Sequence, residues 1–176
     1  NRISPEAPVQ IIDINNESKT LGGAGNVVNN LQSLGAKVDV ISVIGDCKIS
    51  DEIKELVNSI DVNTNYLIQE NGRISSKKTR IISSQQQVVR YDIESTDEIS
   101  LESEKKINSI LKKIITNYDI VLLSDYGKGV LTKQLTQSLI TLSNKNGIKV
   151  LVDPKGHDYS KYNGAFLLTP NKKEAS

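Results

Sequence analysis

The sequence has very little of several residue types, and each shortage excludes a class of protein. Its 176 residues contain one cysteine, so no internal disulfide can form, and one histidine, which cannot make a histidine cluster for zinc. Aromatic residues make up only 4% of the chain, too few for a platform on which nucleic-acid bases stack. A disulfide scaffold, a histidine-based zinc site and a base-stacking protein are therefore excluded.

An excess of charge of one sign and long apolar runs are also lacking. The net charge is +1, which gives the whole chain no general attraction for nucleic acid or anionic membrane. No apolar run approaches the roughly 20 residues of a membrane-spanning helix, and no signal peptide is recognisable. We therefore predict a cytoplasmic protein that binds neither nucleic acid nor membrane. Methionine is absent and the chain begins at Asn1, which favours a piece of a longer protein.

What the sequence does contain is a repeated alternation of short apolar runs and amphipathic segments. Four segments with apolar residues at helical spacing are predicted helices: 27–34, 53–60, 107–114 and 131–142. Four apolar runs are predicted strands: 38–44, 120–123, 150–152 and 165–168. Thr132 and Gly147 suit the cap and the stop of the last helix. Buried strands that alternate with helices are typical of a parallel sheet covered on both faces, so an α/β fold is predicted.

Two stretches depart from this alternation. Residues 1–14 include a weakly alternating strand, and residues 64–93 have the pattern of a β-ribbon whose two strands are joined by the polar residues 83–86. We predict that these two stretches form a small antiparallel β lid, and that the remainder of residues 1–176 forms the α/β body. The polar residues 94–104 are predicted to be a connector.

A polar residue follows each of the four predicted body strands. These residues are Asp46, Asp125, Asp153 and Asn171. Ligands bind beyond the carboxyl ends of the strands in parallel α/β sheets, so the pattern indicates a site at that edge. Aspartate and asparagine also suit turns and helix caps, and for any one of the four the two interpretations carry equal weight.

The most distinctive local motif is the turn Leu21-Gly-Gly-Ala-Gly-Asn26 before the first predicted helix. Small residues there let a ligand approach the backbone, and free N–H groups at a helix start favour anions or hydroxyl oxygens. Asn26 can both donate and accept hydrogen bonds, which suits a sugar diol. The turn has neither the Rossmann spacing nor the Walker lysine. A tight loop that needs positive φ explains Gly22 and Gly23 as well, and taken alone the motif favours that simpler interpretation.

Two further loops place a lysine beside glycine after a predicted strand. In Ser124-Asp-Tyr-Gly-Lys-Gly129, Lys128 is suited to a phosphate, and Asp125 to a hydroxyl group or to water around a metal. Asp153-Pro-Lys-Gly156 presents Lys155 at a strand end, where a phosphorylated ligand would sit. Ordinary surface turns explain the first loop equally well and the second slightly better.

Near the end of the chain, Thr169-Pro-Asn-Lys-Lys-Glu174 places an amide and a carboxylate three residues apart. On a helix, Asn171 and Glu174 would share a face and organise water around a magnesium ion for phosphoryl transfer. A capping box that begins at Asn171 has the same geometry, so the spacing does not separate the two interpretations.

Together these motifs resemble those of the ribokinase-like (PfkB) carbohydrate kinases over nearly the whole chain. Within this family the chain is most similar to the heptose 7-phosphate kinases, whose kinase domain is often fused to an adenylyltransferase. Five segments carry this narrower resemblance: 2–9, 21–27, 123–131, 152–156 and 168–174. The resemblance implies a ribokinase-like three-layer α/β/α sheet with a small antiparallel β lid, incomplete because the C-terminal part is absent.

The resemblance also implies a reaction: phosphorylation of D-glycero-D-manno-heptose 7-phosphate at C1 to the 1,7-bisphosphate, with ATP and Mg²⁺, for ADP-heptose and lipopolysaccharide core biosynthesis. The residues assigned to the sugar are Gly22, Gly23, Asn26 and, from its own loop, Asp125. The candidates for the 7-phosphate are Arg80, Arg90 and Lys155. Those assigned to the nucleotide are Asn171 and Glu174, and Glu174 is also assigned to the metal. Lid sheets often pair between subunits in this family, so a homodimer is implied.

The chain also departs from the family pattern. Nothing here corresponds to the family's first strand, which carries a Gly-Asp and a further substrate-binding aspartate. The Gly-Ala-Gly-Asp segment, which supplies the general base and the anion hole, is missing, so we expect the chain alone to be inactive. Two alternatives remain open: another sugar kinase of this family, acting on ribose, fructose or a sugar phosphate, and a non-catalytic sugar-binding or assembly module.

Overall fold

The structure is a computed structural model that describes residues 2, 3, 6, 10–83 and 85–172. The helices are α1 (Ala24–Ser33), α2 (Lys48–Asn58), α3 (Leu101–Ile114) and α4 (Lys133–Lys145). The strands are β1 (Arg2–Ile3), β2 (Gln10–Ile11), β3 (Ser42–Ile44), β4 (Leu67–Gln69), β5 (Lys77–Ser83), β6 (Gln86–Ile93), β7 (Ile120–Ser124), β8 (Lys149–Asp153) and β9 (Leu167–Leu168). Short 3₁₀ turns lie at Ile115–Asn117 and Ser160–Tyr162.

The body strands are parallel, as the apolar runs predict. β3 pairs with β4, and β7, β8 and β9 form a second parallel sheet in that order. The described strands thus form two parallel sheets where one is predicted. Both sheets contribute to the same core, in which Val43 and Ile68 lie with Leu123 and with Ile107 of α3. A smaller core gathers residues of α1 and α2 around Val62. The α/β fold class is confirmed.

β7 is less buried than its continuous apolar sequence predicts. Ile120 is 51% exposed and Leu122 is 38% exposed, while Leu123 is buried. Among the described strands β7 pairs only with β8, so its second edge carries no neighbouring strand. Ile120 and Leu122 lie two residues apart and therefore share one face of the sheet, which is less covered than the face that carries Leu123.

Capping residues fix both ends of α4 as predicted. Thr132 is the N-cap and its side chain accepts a hydrogen bond from the amide of Leu135, while Gly147 after the helix has φ of 71°. The polar connector 94–104 is shorter than predicted, because α3 already begins at Leu101. Ser100 caps that helix through the amide of Ser103. Within the described residues, no helix has the length and apolar character needed to cross a membrane.

The predicted lid differs from the structure at its start. β5 and β6 form an antiparallel hairpin, but β4, inside the stretch 64–93, pairs in parallel with β3 and buries Ile68 in the core. Residues 64–69 therefore belong to the body, because an apolar side chain that packs on the core holds them there. β1 and β2 pair with each other, and among the described strands neither pairs with the hairpin.

Candidate functional site

The glycine-rich turn before α1 forms the first part of the candidate site. Gly23 is the N-cap of α1 and has φ of 52°, a left-handed conformation that favours glycine. Gly22 has no positive φ, and a Cβ atom there would meet nothing within 4 Å. The fold itself requires glycine at position 23 but not at position 22. The open space at Gly22 leaves room for a ligand to reach the backbone.

The backbone amides of this turn are used differently from the prediction of free N–H groups. The amide of Gly25 donates to the carbonyl of Gly22, and the amide of Asn26 donates to the carbonyl of Gly23, each at 3.0 Å. The prediction is wrong for these two amides, because the tight turn closes its own hydrogen bonds. Asn26 itself is exposed, so its side-chain amide is the group that can contact a ligand.

Asp125 follows β7 and is buried. One of its carboxylate oxygens accepts a hydrogen bond from the amide of Gly127 at 2.7 Å. The other accepts from the Lys161 ammonium at 2.5 Å and from the Tyr162 hydroxyl at 2.7 Å. An ionised carboxylate has about four acceptor positions, so the chain itself fills most of them. Asp125 therefore organises its own loop and has about one position left for a ligand hydroxyl.

The surroundings of Asp125 and Tyr162 shift both of their pKa values. Burial raises the pKa of Asp125, but the hydrogen bonds from Lys161, Gly127 and the phenol outweigh burial and lower it overall. Burial also raises the pKa of the Tyr162 hydroxyl; the bond it accepts from the Lys155 amide opposes the rise, and the Asp125 carboxylate adds to it. At neutral pH the pair is a carboxylate and a protonated phenol, so the phenol donates to Asp125.

Lys155 lies on the loop after β8 and is exposed. Its backbone amide donates to the Tyr162 hydroxyl at 3.2 Å. Gly127 has φ of 63°, and a Cβ atom there would lie 3.3 Å from Cγ of Lys155. The stem of Lys155 therefore lies directly beside the backbone of the loop after β7.

Tyr126 connects this pair of loops to the glycine-rich turn. A Cβ atom at Gly23 would lie 3.7 Å from three atoms of the Tyr126 ring. β7 and β8 are in register so that Ser124 lies opposite Asp153, and the Asp125 amide donates to the Asp153 carbonyl at 2.9 Å. The three glycine-containing loops therefore meet at the carboxyl ends of β7 and β8.

A cleft of about 2050 Å³ runs from the glycine-rich turn past the hairpin to the loop after β7. The predicted site residues in its lining are Gly22, Gly23, Arg80 and Asp125. These four residues line parts of the same extended cleft, which also reaches core side chains such as Leu135. Asn26, Arg90 and Lys155 are not among its lining residues.

The two arginines on the hairpin lie directly opposite each other. Arg80 of β5 is the cross-strand partner of Arg90 of β6, an arrangement that is unfavourable for two like charges. Arg90 donates two hydrogen bonds to the Asp92 carboxylate, at 3.1 and 3.0 Å. Within the described part of the chain, Arg80 forms no ion pair. Arg80 is therefore the arginine that can take a phosphate group without giving up a carboxylate.

Ion pairs link this hairpin to the loop after β7. Lys78 of β5 contacts Asp92 at 2.7 Å and Glu94 at 3.1 Å. Glu94 also forms an ion pair with Lys128, the lysine that the sequence marks as suited to a phosphate. Lys128 therefore already has a carboxylate partner in this structure.

A buried arginine, Arg73, also holds the loop after β7 through hydrogen bonds to backbone carbonyls. Arg73 donates to the carbonyl of Asp97 at 3.1 Å and to the carbonyl of Lys128 at 2.5 Å. Sequence reasoning missed Arg73, Glu94, Lys161 and Tyr162. Tyr162 stands with Tyr159 in a polar stretch, which is a weak signal of burial, and the other three carry no local signal at all.

The remaining strand-end residues have separate positions. Asp46 accepts a hydrogen bond from the Gly72 amide at 3.3 Å, so it serves a turn. Asn171 is exposed beyond β9, and Glu174 lies outside the described residues. In the described part of the chain, no group of three or more histidine, cysteine, aspartate or glutamate side chains is arranged to hold a metal ion.

Solved structures share this fold. The tetrameric inhibited form of phosphofructokinase-2 from Escherichia coli matches with a TM-score of 0.67 at 19% identity, over 92% of this chain and 56% of that one. Ribokinase from Arabidopsis thaliana, complexed with ribose and ATP, matches with a TM-score of 0.64 at 17% identity, over 94% and 53%. Similarity at this level establishes a ribokinase-like α/β fold.

The amino-acid sequence has much closer relatives. It is 62% identical over 175 residues to the bifunctional protein HldE of Aliarcobacter butzleri, and 60% identical over 174 residues to HldE of Sulfurimonas denitrificans. These matches cover 99% of this chain but 37% and 36% of the relatives. The model of the pfkB family of carbohydrate kinases matches residues 2–176. The chain belongs to the pfkB family of carbohydrate kinases.

Proposed function

We propose that this chain forms the sugar-binding part of a kinase that transfers a phosphoryl group from ATP to the C1 hydroxyl of a heptose 7-phosphate. The observation that carries the proposal is the meeting of the glycine-rich turn with the loops of Asp125 and Lys155 at the carboxyl ends of two parallel strands. The resemblance to heptose 7-phosphate kinases, which are often fused to an adenylyltransferase, supports the heptose substrate, and the similarity to the bifunctional HldE proteins supports a second activity on the same polypeptide. The single cysteine favours a reducing compartment, so we propose that the activity lies in the cytoplasm.

The sugar is held by the turn and by the buried carboxylate. The uncluttered backbone at Gly22 lets the sugar ring approach, and the exposed Asn26 side chain can donate and accept hydrogen bonds with neighbouring hydroxyls. The remaining acceptor position of Asp125 takes one further hydroxyl. Because its other positions are filled by Gly127, Lys161 and Tyr162, this carboxylate is fixed before the sugar arrives.

The 7-phosphate is bound by Arg80. Arg80 forms no ion pair within the described residues, and a guanidinium can donate two parallel hydrogen bonds to phosphate oxygens. Lys155, on the far side of the Asp125 loop, is the second candidate. ATP would supply the phosphoryl group and Mg²⁺ would neutralise its charge. Asn171, which is exposed beyond β9, and Glu174, which lies outside the described residues, are the residues proposed to hold them.

Calorimetric titration of the chain with heptose 7-phosphate and with unphosphorylated heptose tests the proposal. We expect Arg80→Gln to weaken the binding of heptose 7-phosphate by roughly tenfold and to leave the binding of heptose unchanged. Arg90→Gln is the matched control, because this arginine already bonds to Asp92, and we expect a smaller effect. Equal losses for both sugars would refute the assignment of Arg80.

A panel of sugars separates the alternatives. Tighter binding of ribose, fructose or fructose 6-phosphate than of heptose 7-phosphate would favour another kinase of the family. Binding of sugar without any phosphoryl transfer, measured with the complete protein and ATP, would favour a non-catalytic module. Formation of heptose 1,7-bisphosphate by the complete protein, identified by mass spectrometry, is the result that the proposal requires.

We also propose that the hairpin pairs with a second copy of the chain. Val89, Tyr91 and Ile93 alternate along β6, so they share one face, and all three are exposed apolar side chains. Covering this face with the same face of another copy would bury them. Sedimentation of the wild-type chain and of Tyr91→Lys tests this: we expect a dimer for the first and a monomer for the second, and a monomeric wild type would refute it.

A further inference from the structure

We propose that Lys161 and Tyr162 are positioning residues for the sugar-phosphate site, because together they join the loops after β7 and β8 into one fixed edge. Neither residue belongs to a motif that the sequence marks. The inference rests on the proposed function, since the two loops carry Asp125 and Lys155.

The two side chains converge on a single carboxylate oxygen. Oδ2 of Asp125 accepts from Nζ of Lys161 at 2.5 Å and from the hydroxyl of Tyr162 at 2.7 Å. The same hydroxyl accepts from the backbone amide of Lys155 at 3.2 Å. One phenol group therefore holds the side chain of the first loop and the backbone of the second.

The hydroxyl of Tyr162 can be separated from the packing of its ring. Tyr162 is 1% exposed and its ring belongs to the main hydrophobic core, so replacing the whole side chain would disturb the fold. Removing only the hydroxyl keeps the ring in place. Lys161 lies over that ring, with Nζ 5.1 Å from the ring centre, and its ammonium also donates to the Leu131 carbonyl at 3.4 Å.

Loss of the hydroxyl has two expected consequences at the site. Asp125 loses one of its three donors, so its carboxylate can turn away from the position that meets a sugar hydroxyl. The amide of Lys155 loses its acceptor, so the loop can move away from Gly127, beside which the Lys155 stem lies. Both changes misplace groups that touch the ligand while the core stays intact.

Tyr162→Phe is the test variant, and Gln137→Leu is its matched control. Gln137 donates to the carbonyls of Lys161 and Asn163 at 2.8 and 3.2 Å, so it anchors the same 3₁₀ turn without contacting Asp125. We expect Tyr162→Phe to raise the dissociation constant for heptose 7-phosphate by about three- to tenfold, and Gln137→Leu to leave it unchanged. Lys161→Met should behave like Tyr162→Phe, and Lys161→Arg should restore most of the affinity.

Amide hydrogen exchange of the unliganded chain gives a second measurement that needs no sugar. In Tyr162→Phe, exchange at the Lys155 amide should speed up by at least about threefold, and in Gln137→Leu it should not. Equal changes in the two variants, or an unchanged dissociation constant in Tyr162→Phe, would overturn the inference while leaving the proposed function standing. A wild-type chain that binds no sugar phosphate would overturn the proposed function, and exchange at Lys155 would still show whether Tyr162 fixes the loop.

Discussion

Replacing Gly129, in the loop after β7, should lower the stability of the protein by more than its positive φ alone explains. Gly129 has φ of 75°, and Gly147 after α4 has φ of 71°. A Cβ atom at Gly129 would lie 1.9 Å from the carbonyl oxygen of Asp97, whereas at Gly147 it would meet nothing within 4 Å. Gly129→Ala and Gly147→Ala therefore share the same backbone strain and differ only in the steric clash.

The expected losses of stability follow from these contacts. An alanine at positive φ costs about 1 kcal/mol, and we expect that loss for Gly147→Ala. In Gly129→Ala the Asp97 carbonyl must also move by about 1 Å, because a contact of 1.9 Å cannot exist. That movement weakens the bond from Arg73 to the Asp97 carbonyl and the bond from the Ile99 amide to the Gly129 carbonyl. We expect a total loss of about 3–4 kcal/mol.

Urea unfolding followed by circular dichroism measures both variants. With a denaturant slope of about 2 kcal/mol per molar urea, the two midpoints should differ by about 1–1.5 M. The slopes themselves should stay the same, because the change lies in one loop. Equal midpoints for Gly129→Ala and Gly147→Ala would show that the clash is relieved at no cost, and would refute the close packing of this loop against Asp97.

Three further outcomes are expected. Thr132→Ala removes the acceptor of the Leu135 amide and should lower the free energy of unfolding by about 1–2 kcal/mol in urea titrations, and a loss within error would contradict the cap. Ile68→Ala should lower the free energy of unfolding by about 2–4 kcal/mol, because Ile68 is 9% exposed. Ile82→Ala in the hairpin should lower it by under about 1 kcal/mol, because Ile82 is 62% exposed. Similar losses for the two variants would contradict the assignment of residues 64–69 to the body. Because the pKa of Asp125 is lowered in the fold, its ionisation stabilises the protein fully above the unfolded value of about 3.9 and less as the pH falls through the folded value. The difference in unfolding free energy between wild type and Asp125→Asn should therefore be constant from about pH 7 to pH 5 and shrink below about pH 4, and a difference that grows in acid would refute the assigned shift.

Local pattern was enough to predict the body of the fold. Helical spacing predicted α1, α2 and α4, Thr132 and Gly147 predicted the ends of α4, and apolar runs predicted β7 and β8. Spacing works here because the side chains that share a buried face recur at fixed intervals along the sequence. The pairing of strands that are distant in the sequence cannot be predicted from such local patterns. β4 is three residues long, and its place in the body is shown by its pairing with β3 and by the burial of Ile68 in the core. The early start of α3 at Leu101 was missed because its first turn is polar.

The sequence alone pointed to the loops of the candidate site, but it gave no sign of the long-range contacts that hold these loops in place. Turns with glycine, lysine and aspartate stand out in the sequence, and they single out Gly22, Asp125 and Lys155 as candidates. The side chains that hold Asp125 in place include Lys161 and Tyr162, which lie 36 and 37 positions further along the chain. Only the fold brings such residues together. Site residues read from motifs are therefore incomplete where a buried carboxylate needs partners, since burial of an unpaired charge is strongly unfavourable.

Lys128 shows how these distant contacts change the assignment of a role. Its motif, a lysine between two glycines after a buried strand, suits a phosphate. In the structure it forms an ion pair with Glu94, which also holds Lys78. A phosphate at Lys128 would have to displace that carboxylate and leave Glu94 with one cation instead of two. Arg80 has no such competitor in the described part of the chain. We therefore propose Arg80 rather than Lys128 for the phosphate, while Lys128 ties the hairpin to the loop that carries Asp125.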